Sequence, residues 1–331
     1  MARILLFGYF GYGNFGDELL IASIKENLPD HNLTVISGNP KETEDLHQIK
    51  AISRRQFWHD LGSFDLLLVG GGGVLQNITS NRSLFYYLAA IKRAQSLGVD
   101  VYLMAQGLGP FKKNLCYPLI NRGIRSLKGL ELTVRDEESL KIANQFGLEA
   151  DLVADLALSY TNYPKRQKSD SSKKVIGVSV KEGFVLETCK WLQSFGNQVQ
   201  IRLFAFHKED HGVCLEVEHL LQNAHTIKME KFSDLQYFSD IDFLWGMRLH
   251  ALVVAAAMGI PAIGISYDPK VESFCSEVGF SWHNLQTIPK EEWIRSGDAS
   301  KLIKRSEKAW DLFRAYREHK YQANKAPGHS D

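Results

Sequence analysis

Short apolar runs alternate with longer segments of mixed polarity along this chain. In the first half the apolar runs cover residues 4–9, 33–37, 65–69, 101–105 and 131–134. The segments between them are of helix length, as in 17–27, 83–97 and 137–146. Near-continuous apolar strands separated by helices are typical of a parallel sheet that is covered on both faces. The pattern therefore predicts an α/β fold built from βα units.

A polar segment at 161–174 interrupts this pattern and is interpreted as a linker between two domains. After it, apolar runs return at 175–180, 200–206, 226–229, 242–246 and 261–266. We therefore expect an N-terminal domain at 1–160 and a C-terminal domain at 175–331, two Rossmann-like halves that face a central cleft. This is the GT-B-like architecture of glycosyltransferases, although the pattern alone also fits a two-domain dehydrogenase or kinase. A charged amphipathic helix predicted near 301–321 can pack back on the N-terminal domain.

Composition and charge narrow the class of protein. The 331 residues are 44% hydrophobic and 23% charged, which is ordinary for a soluble globular protein. The formal net charge of +1 provides no basic field that would attract nucleic acid. No CxxC pair or Cys/His cluster indicates zinc or a disulfide framework, so a reducing cytoplasm is expected; the four cysteines are Cys116, Cys189, Cys214 and Cys275.

Two apolar stretches resemble targeting or membrane segments in composition but not in length. The N-terminal run stops at Gly8, which is too short for a signal peptide and fits a first strand. The longest run, 251–265, is broken by Gly259 and Pro261 and is too short to span a bilayer. We therefore expect no transmembrane segment.

Arg248-Leu249-His250 stands where a strand should pass into a helix, between the apolar run 242–246 and an apolar stretch with small residues. Charged side chains at a strand end are costly unless they face a cleft. In open α/β sheets ligands bind at that end, and a helix N-terminus there favours an anion. Arg248 and His250 are thus expected to hold a phosphate or carboxylate, with His250 placed for proton transfer. The alternative is a structural ion pair with a histidine satisfied by backbone.

The loop after the first strand matches the dinucleotide fingerprint GxGxxG at Gly11, Gly13 and Gly16. Asp17 and Glu18 follow at once, so carboxylates would occupy the position of the pyrophosphate and repel it. NAD binding is therefore rejected. Carboxylates at this helix start suit sugar hydroxyls and a general base, or they only complement the helix dipole.

Three further strand ends carry glycines or polar side chains. A run of four glycines, which includes Gly71, Gly72 and Gly73, can open backbone N–H groups to a ligand. Neutral hydrogen-bonding side chains follow at Gln76, Asn77 and Thr79, and the next two strands end at Gln106-Gly107 and Arg135-Asp136. Since all these ends lie on one sheet edge, a binding face is predicted there.

Taken in order, these motifs resemble the polysaccharide pyruvyl transferase family, and its bacterial cell-wall branch most closely. The resemblance spans about residues 3–280 and includes 11–18, 70–73, 106–110, 134–136, 247–251 and 265–271. It implies a GT-B-like transferase that moves the enolpyruvyl group of phosphoenolpyruvate onto a sugar, closes a pyruvate ketal and releases phosphate, without metal or cofactor. By position it implies Asp17 and His250 as the catalytic pair and phosphoenolpyruvate ligands at Arg135, Arg248 and Lys270.

The chemistry implied by the resemblance assigns roles to both domains. His250 would protonate the donor, while Asp17 would take or orient the acceptor hydroxyl from the opposite wall, so the site would be complete when the cleft closes. The N-terminal domain would bind the acceptor through Asn14, Glu18, Gln76, Asn77 and Thr79. The partners would be phosphoenolpyruvate and a glycan, free or lipid-linked, in the cytoplasm or at the inner membrane face. A nucleotide-sugar glycosyltransferase and an inactive ligand-sensing or scaffold protein are the alternatives.

Overall fold

The computed structural model describes residues 2–167, 172–284 and 291–325. Within these ranges the N-terminal domain is built on a sheet of seven parallel strands in the order β3-β2-β1-β4-β5-β6-β7. The strands are β1 (Arg3–Phe10), β2 (Asn32–Ser37), β3 (Lys50–Ser53), β4 (Leu66–Gly70), β5 (Asp100–Gln106), β6 (Glu131–Val134) and β7 (Asp151–Leu152). The covering helices are α1 (Phe15–Asn27), α2 (Pro40–His47), α3 (Arg54–Asp60), α4 (Asn81–Ser96), α5 (Tyr117–Arg125) and α6 (Glu137–Phe146).

A second parallel sheet forms the C-terminal domain, with six strands among the described residues in the order β10-β9-β8-β11-β12-β13. These strands are β8 (Lys174–Ser179), β9 (Val199–Ala205), β10 (Ala224–Lys228), β11 (Phe243–Gly246), β12 (Ala262–Ser266) and β13 (Ser281–Asn284). The helices are α7 (Val185–Gln193), α8 (Lys208–Leu220), α9 (Leu249–Ala257), α10 (Pro269–Val278) and α11 (Ser300–Lys325). The prediction of two parallel α/β domains is confirmed.

Three strands, β3, β7 and β13, were not predicted from the sequence, and all three are edge strands of their sheets. β3 carries only two buried apolar residues, Ala51 and Ile52, and β7 is two residues long. β13 alternates half-buried and exposed positions because it has one neighbour, β12. A run of continuous apolar residues marks strands buried on both faces, so strands of this kind give no such signal.

Local capping explains where several helices begin. Side-chain oxygens of Asn14, Ser80 and Asp136 accept hydrogen bonds from the first N–H groups of α1, α4 and α6. Each of these residues ends a loop that follows a strand, so each helix starts at the carboxyl edge of the sheet. Polar caps of this kind satisfy donors that a helix cannot pair internally.

The predicted linker overlaps the start of the second domain. Lys174 already belongs to β8, and residues 168–171 of the predicted linker lie outside the described residues. The described part is fastened to the C-terminal domain, since Arg166 donates from Nη2 to the Ile241 carbonyl at 3.0 Å and Gln167 N–H donates to the Ser239 carbonyl at 2.8 Å.

The long helix α11 contacts the N-terminal domain. The ring of Phe313 meets Tyr102 of β5 edge to face, with centroids 5.2 Å apart. Trp310 donates from Nε1 to Ser159 Oγ at 2.8 Å, and Lys320 pairs with Asp100 at 2.8 Å. Buried apolar residues of both domains join one continuous core with this helix. Within the described ranges, no helix combines the length and apolar character needed to cross a lipid bilayer.

A short backbone contact, which we call the interdomain bridge, joins residues 13–15 to residues 206–208. Phe15 N–H donates to the Phe206 carbonyl at 2.8 Å, and Lys208 N–H donates to the Gly13 carbonyl at 2.9 Å. Asn14 and His207 form the antiparallel pair between these bonds. The carboxyl edges of the two sheets therefore face each other and are attached where α1 and α8 begin.

Candidate active site

A cleft of about 600 Å³ lies between the carboxyl edges of the two sheets. Its charged and titratable lining comes from both domains: Asp17, Arg54 and Arg135 from the first, and Arg248, His250 and Lys270 from the second. The structure thus brings the two expected catalytic residues and the three expected donor ligands to one place. Parallel strands end at a common edge, which is why motifs far apart in sequence meet here.

Asp17 lies in the first turn of α1, where the loop after β1 delivers it to the cleft. Its carboxyl is 6% exposed and accepts a hydrogen bond from Asn14 Nδ2 at 2.5 Å. Burial, followed by the neighbouring Glu18 charge, raises the pKa of Asp17 to about 8, because both disfavour the ionised form. At neutral pH Asp17 is therefore mainly a protonated acid.

Glu18 does not reach this cleft, although the sequence suggested it as an acceptor ligand. Its Oε2 lies 2.7 Å from Nε2 of the buried His47, and its Oε1 accepts from the Gly11 N–H at 3.0 Å. Adjacent positions on a helix point in different directions, so the side chain next to Asp17 turns away from the cleft. Glu18 fixes the glycine loop that carries Asn14 and Asp17.

Gly73 lets two cations come close together. A Cβ added to Gly73 would lie 2.8 Å from Nζ of Lys270 and 3.9 Å from Nη2 of Arg135. Among the described residues Lys270 Nζ has no hydrogen-bond or ion-pair partner. Burial, and then the nearby guanidinium of Arg135, lower the pKa of Lys270. An anion placed between these groups would relieve their repulsion, so this part of the cleft is suited to bind one.

A carboxylate that the sequence reading missed links Arg135 to His250. Asp155 is 5% exposed, and its Oδ2 accepts from Arg135 Nη1 at 2.9 Å. The same oxygen is 3.7 Å from Nε2 of His250, a buried nitrogen with no hydrogen-bond partner among the described residues. Asp155 follows β7, which has only two residues and is therefore not recognisable as a strand in the sequence. The only hint in the sequence is that a charged residue stands between the apolar residues Ala154 and Leu156.

The imidazole of His250 is held in the first turn of α9 against the start of α1. A Cβ on Gly16 would lie 2.0 Å from Nδ1 of His250, so only glycine admits the ring there. Burial lowers the pKa of His250, helped by Arg135 and opposed by the Asp155 charge. The ring is therefore mainly neutral at pH 7. A charged His250, as expected from the sequence for the proton donor, would require a neighbouring phosphate that raises this pKa again.

Arg248, the residue before α9, already has a bidentate partner. Its Nε donates to Oδ2 of Asp210 at 2.9 Å, and its Nη2 donates to Oδ1 of the same carboxylate. Asp210 is 1% exposed and also accepts from the His207 N–H at 3.0 Å. The sequence offered a place in the cleft and, as the alternative, a structural ion pair for Arg248, and the structure shows both. Asp210 takes two of the five N–H groups of Arg248, and Tyr267 is a further hydrogen-bond neighbour of the guanidinium, so the remaining N–H groups are available to a ligand.

Of the other expected acceptor residues, Gln76, Thr79 and Asn14 line the cleft, whereas Asn77 does not. Gln76 Nε2 donates to Thr79 Oγ1 at 3.0 Å. Asn77 is 3% exposed, and its amide pairs with the backbone of Lys112, accepting from N–H at 2.6 Å and donating to the carbonyl at 3.2 Å. Ser80, a further polar residue of the same loop, also lines the cleft, and the lining not expected from the sequence includes Arg54, Ser83 and Tyr87.

The predicted glycine positions serve different surfaces. Gly72 and Gly73 line the cleft, and Gly107 lies against Arg135, with 3.1 Å between its added Cβ and Nη2. Gly71 instead packs on Leu20 of α1. Gly11 and Gly13 line a neighbouring cavity of about 420 Å³ on the other side of the interdomain bridge.

The start of α1 offers no vacant anion site. Gly16 N–H donates to the Asn14 side chain at 3.2 Å, and the Phe15 N–H is used in the interdomain bridge. Dinucleotide folds place the pyrophosphate on such N–H groups. Their occupation adds a second reason, beside the acidic Asp17, against a dinucleotide at this loop.

The cleft combines four cations, Arg54, Arg135, Arg248 and Lys270, with one protonated carboxyl and one neutral imidazole. Two of these cations are paired with buried carboxylates, Arg135 with Asp155 and Arg248 with Asp210. Such a set can bind a small dianion or trianion and can both give and accept a proton. Within the described residues, no three His, Cys, Asp or Glu side chains are grouped so that they could share a metal ion.

Comparisons with known proteins agree with this geometry at the level of family and fold. Residues 14–269 match the family model described as polysaccharide pyruvyl transferase. No curated protein matches the chain.

Solved structures share the architecture at low identity. The S. aureus MnaA–UDP co-structure has a TM-score of 0.58 at 13% identity, over 87% of this chain and 86% of that one. UDP-GlcNAc 2-epimerase from Neisseria meningitidis bound to UDP-GlcNAc has a TM-score of 0.57 at 13% identity, over 87% of this chain and 89% of that one. Anabaena Alr3699/HepE in complex with UDP and glucose has a TM-score of 0.56 at 13% identity, over 98% of this chain and 100% of that one. The GT-B-like fold class is confirmed, and identities this low show the fold alone.

Proposed function

Because this chain belongs to the polysaccharide pyruvyl transferase family, we propose that it transfers the enolpyruvyl group of phosphoenolpyruvate to a sugar of a cell-surface or cell-wall polysaccharide precursor. Two hydroxyls of the sugar would close a pyruvate ketal, and phosphate would be released. Membership makes the protein a transferase of polysaccharide pyruvylation; the donor and the ketal chemistry are the proposal. The observation that carries it is the gathering of Arg135, Arg248 and Lys270 around His250 and Asp17 in one cleft.

The cations fit the charges of the proposed donor. Phosphoenolpyruvate carries a phosphate and a carboxylate, so binding it in a half-buried cleft requires several positive groups. Arg135 and Lys270 approach each other at Gly73, and Arg248 has N–H groups left after binding Asp210. A bound donor would offset the repulsion between Arg135 and Lys270.

The protonation states support a closed proton cycle. Asp17, a protonated acid, gives its proton to the methylene carbon, and positive charge develops at the adjacent carbon. A sugar hydroxyl attacks that carbon, its proton passes to neutral His250, and His250 delivers it to the oxygen of the departing phosphate. The second hydroxyl then closes the ketal and returns its proton to Asp17. These roles reverse those expected from the sequence, because burial favours neutral Asp17 and neutral His250.

Asp155 supports His250 in this scheme. Its Oδ2 lies 3.7 Å from Nε2 of His250 and stabilises the imidazolium that forms when the hydroxyl proton arrives. Because Arg135 donates to the same oxygen, donor binding and the histidine are coupled through one carboxylate.

The acceptor would enter beside the N-terminal domain. Gln76, Thr79, Ser80 and Ser83 line that wall and offer neutral hydrogen-bonding groups of the kind sugars require. Tyr9 and Tyr12 are stacked with ring centroids 4.5 Å apart and give an aromatic surface for a sugar ring. A lipid-linked precursor is included in this proposal.

The test is phosphate release from phosphoenolpyruvate in the presence of free and lipid-linked glycans, beside the same glycans with nucleotide sugars. We expect phosphate release with at least one glycan and pyruvate in acid-labile linkage to the product. The structural neighbours are described with UDP or a UDP-sugar, so the competing activity is sugar transfer from a nucleotide. Turnover of nucleotide sugars without any reaction of phosphoenolpyruvate would contradict the proposal.

Arg248→Lys is expected to raise the KM for phosphoenolpyruvate by about 10- to 100-fold, the range set by one charge-assisted hydrogen bond. Lysine keeps the charge but cannot bind Asp210 with two N–H groups and reach the donor at once. The matched control is Arg202→Lys, since Arg202 makes a similar two-bond pair with Asp240 away from the cleft. Equal KM values in both variants and the parent would mean that Arg248 is structural only.

A further inference from the structure

The surface around α5 combines basic and exposed apolar side chains. Residues 110–130 contain five Lys or Arg and no Asp or Glu. Leu115 is fully exposed at 100%, the highest value among the large hydrophobic residues described, and Leu119 is 60% exposed. One exposed leucine is ordinary, but two that stand four residues apart within a cationic segment form a defined surface feature.

A third apolar side chain belongs to this face. Ile78 is 43% exposed, and its carbonyl accepts from Lys112 Nζ at 3.1 Å. Asn77 holds the Lys112 backbone on both sides, and Asn114 donates to Asn81 at 3.4 Å. The loop at 76–81 and the segment at 111–115 are therefore one fixed unit, which we call the basic apolar face.

The buried side of α5 explains why its outer side is not core. Ile120, Gly123 and Ile124 are buried against the domain, which leaves Leu119 and Arg122 on the outside. Leu115 precedes the helix by two residues and is four residues before Leu119. The free side of α5 and the turn before it therefore present cations beside exposed leucines, the two kinds of side chain that hold peripheral proteins at a membrane surface.

The position of this face relates it to the cleft. Ile78 lies in sequence between Gln76 and Thr79, which both line the cleft, and Ser80 and Ser83 continue that lining into α4. A surface that touched Ile78, Leu115 and Leu119 would therefore lie beside the wall assigned to the acceptor.

We propose that the basic apolar face docks this protein on an anionic lipid bilayer. Lys112, Lys113 and Arg122 would meet the negative headgroups while Ile78, Leu115 and Leu119 enter the interface. Basic side chains are attracted to an anionic lipid surface, and a fully exposed leucine is stabilised when its apolar surface is removed from water. Anchoring by cations and apolar side chains together is the combination that holds peripheral proteins on membranes.

The test is co-sedimentation of the full chain with vesicles, without any substrate. We expect binding to vesicles of phosphatidylcholine with phosphatidylglycerol, little binding to phosphatidylcholine alone, and weaker binding in high salt. The double variant Lys113→Glu/Leu115→Ser should bind at least about ten-fold more weakly, because one basic residue alone is worth about five-fold near such a surface. Leu119→Ser/Arg122→Glu should lose a similar factor.

The matched control is Leu186→Ser/Lys190→Glu on α7, where Leu186 is 66% exposed in the other domain. It should bind vesicles as the parent does, and all variants should unfold at the same temperature as the parent. Failure of the parent to sediment with anionic vesicles overturns the proposal, as does equal loss in the control. Since no donor or acceptor is used, the result is independent of the proposed reaction.

Discussion

His250→Ala should lower the rate of phosphate release by about 10²–10⁴-fold, the usual effect of losing a group that transfers a proton in the transition state. In the proposed cycle the imidazole is the base for the first sugar hydroxyl and the acid for the departing phosphate, so both events would lose their catalyst. Steady-state turnover with saturating phosphoenolpyruvate and acceptor measures the effect. Thermal unfolding should change little, because Nε2 of His250 makes no hydrogen bond among the described residues.

Gly16→Ala tests the position of the ring without removing it. The added methyl would lie 2.0 Å from Nδ1 and 2.7 Å from Cβ of His250, so the imidazole must move. We expect a loss of turnover that approaches the His250→Ala value. Near-normal turnover in a folded His250→Ala protein would remove this residue from the mechanism.

Asp17→Asn should lower turnover by a similar factor while sparing donor binding at neutral pH. Asparagine keeps the size of the side chain and can still accept from Asn14, but it has no proton to give. The pKa of Asp17 is about 8, so the parent carries little charge there at pH 7 and the substitution removes little. Calorimetric affinity for phosphoenolpyruvate should therefore match the parent below pH 7. Above pH 8 the variant should bind the donor more tightly, because the parent then holds a carboxylate beside it.

The pKa shifts of Asp17 and His250 also predict how the activity of the parent protein depends on pH. In the proposed cycle Asp17 must be protonated, so kcat/KM should fall as pH rises through about 8. It should also fall on the acid side, below the lowered pKa of His250, where the base becomes charged. Asp17→Asn should lack the alkaline limb. Loss of donor affinity in this variant at neutral pH, with normal turnover at saturating donor, would assign Asp17 to the donor site or to the fold.

Residue type and strand position predicted where Asp17, Arg135, Arg248 and His250 lie, and the family resemblance added Lys270. Strands buried on both faces are visible as apolar runs, and the residues after them meet at one edge. Side-chain direction was not predictable in this way. Glu18 and Asn77 have suitable groups, yet the first turns to His47 and the second to Lys112.

Partners supplied by weakly patterned segments were also missed. Asp155 follows a strand of two residues, and Asp210 lies inside the first turn of α8. Neither position is marked by an apolar run or a glycine loop. The protonation states depend on burial and on charges from distant segments, so Asp17 and His250 could be chosen from the sequence but not assigned as acid and base.

The interdomain bridge reduces the entropy that must be lost to bring the reacting groups of the two domains together, compared with two domains that move freely. Asp17 follows Phe15 by two residues, and Asp210, which holds Arg248, follows Lys208 by two. The bridge therefore sets the proposed proton donor, Asp17, and one cation proposed to bind the donor, Arg248, in register before any substrate arrives. Fixing two domains in a reactive geometry lowers their translational and rotational entropy, and in this protein that entropy is lost when the chain folds and not when the substrate binds. Substrate binding energy is left for bringing the sugar hydroxyl to the charged carbon.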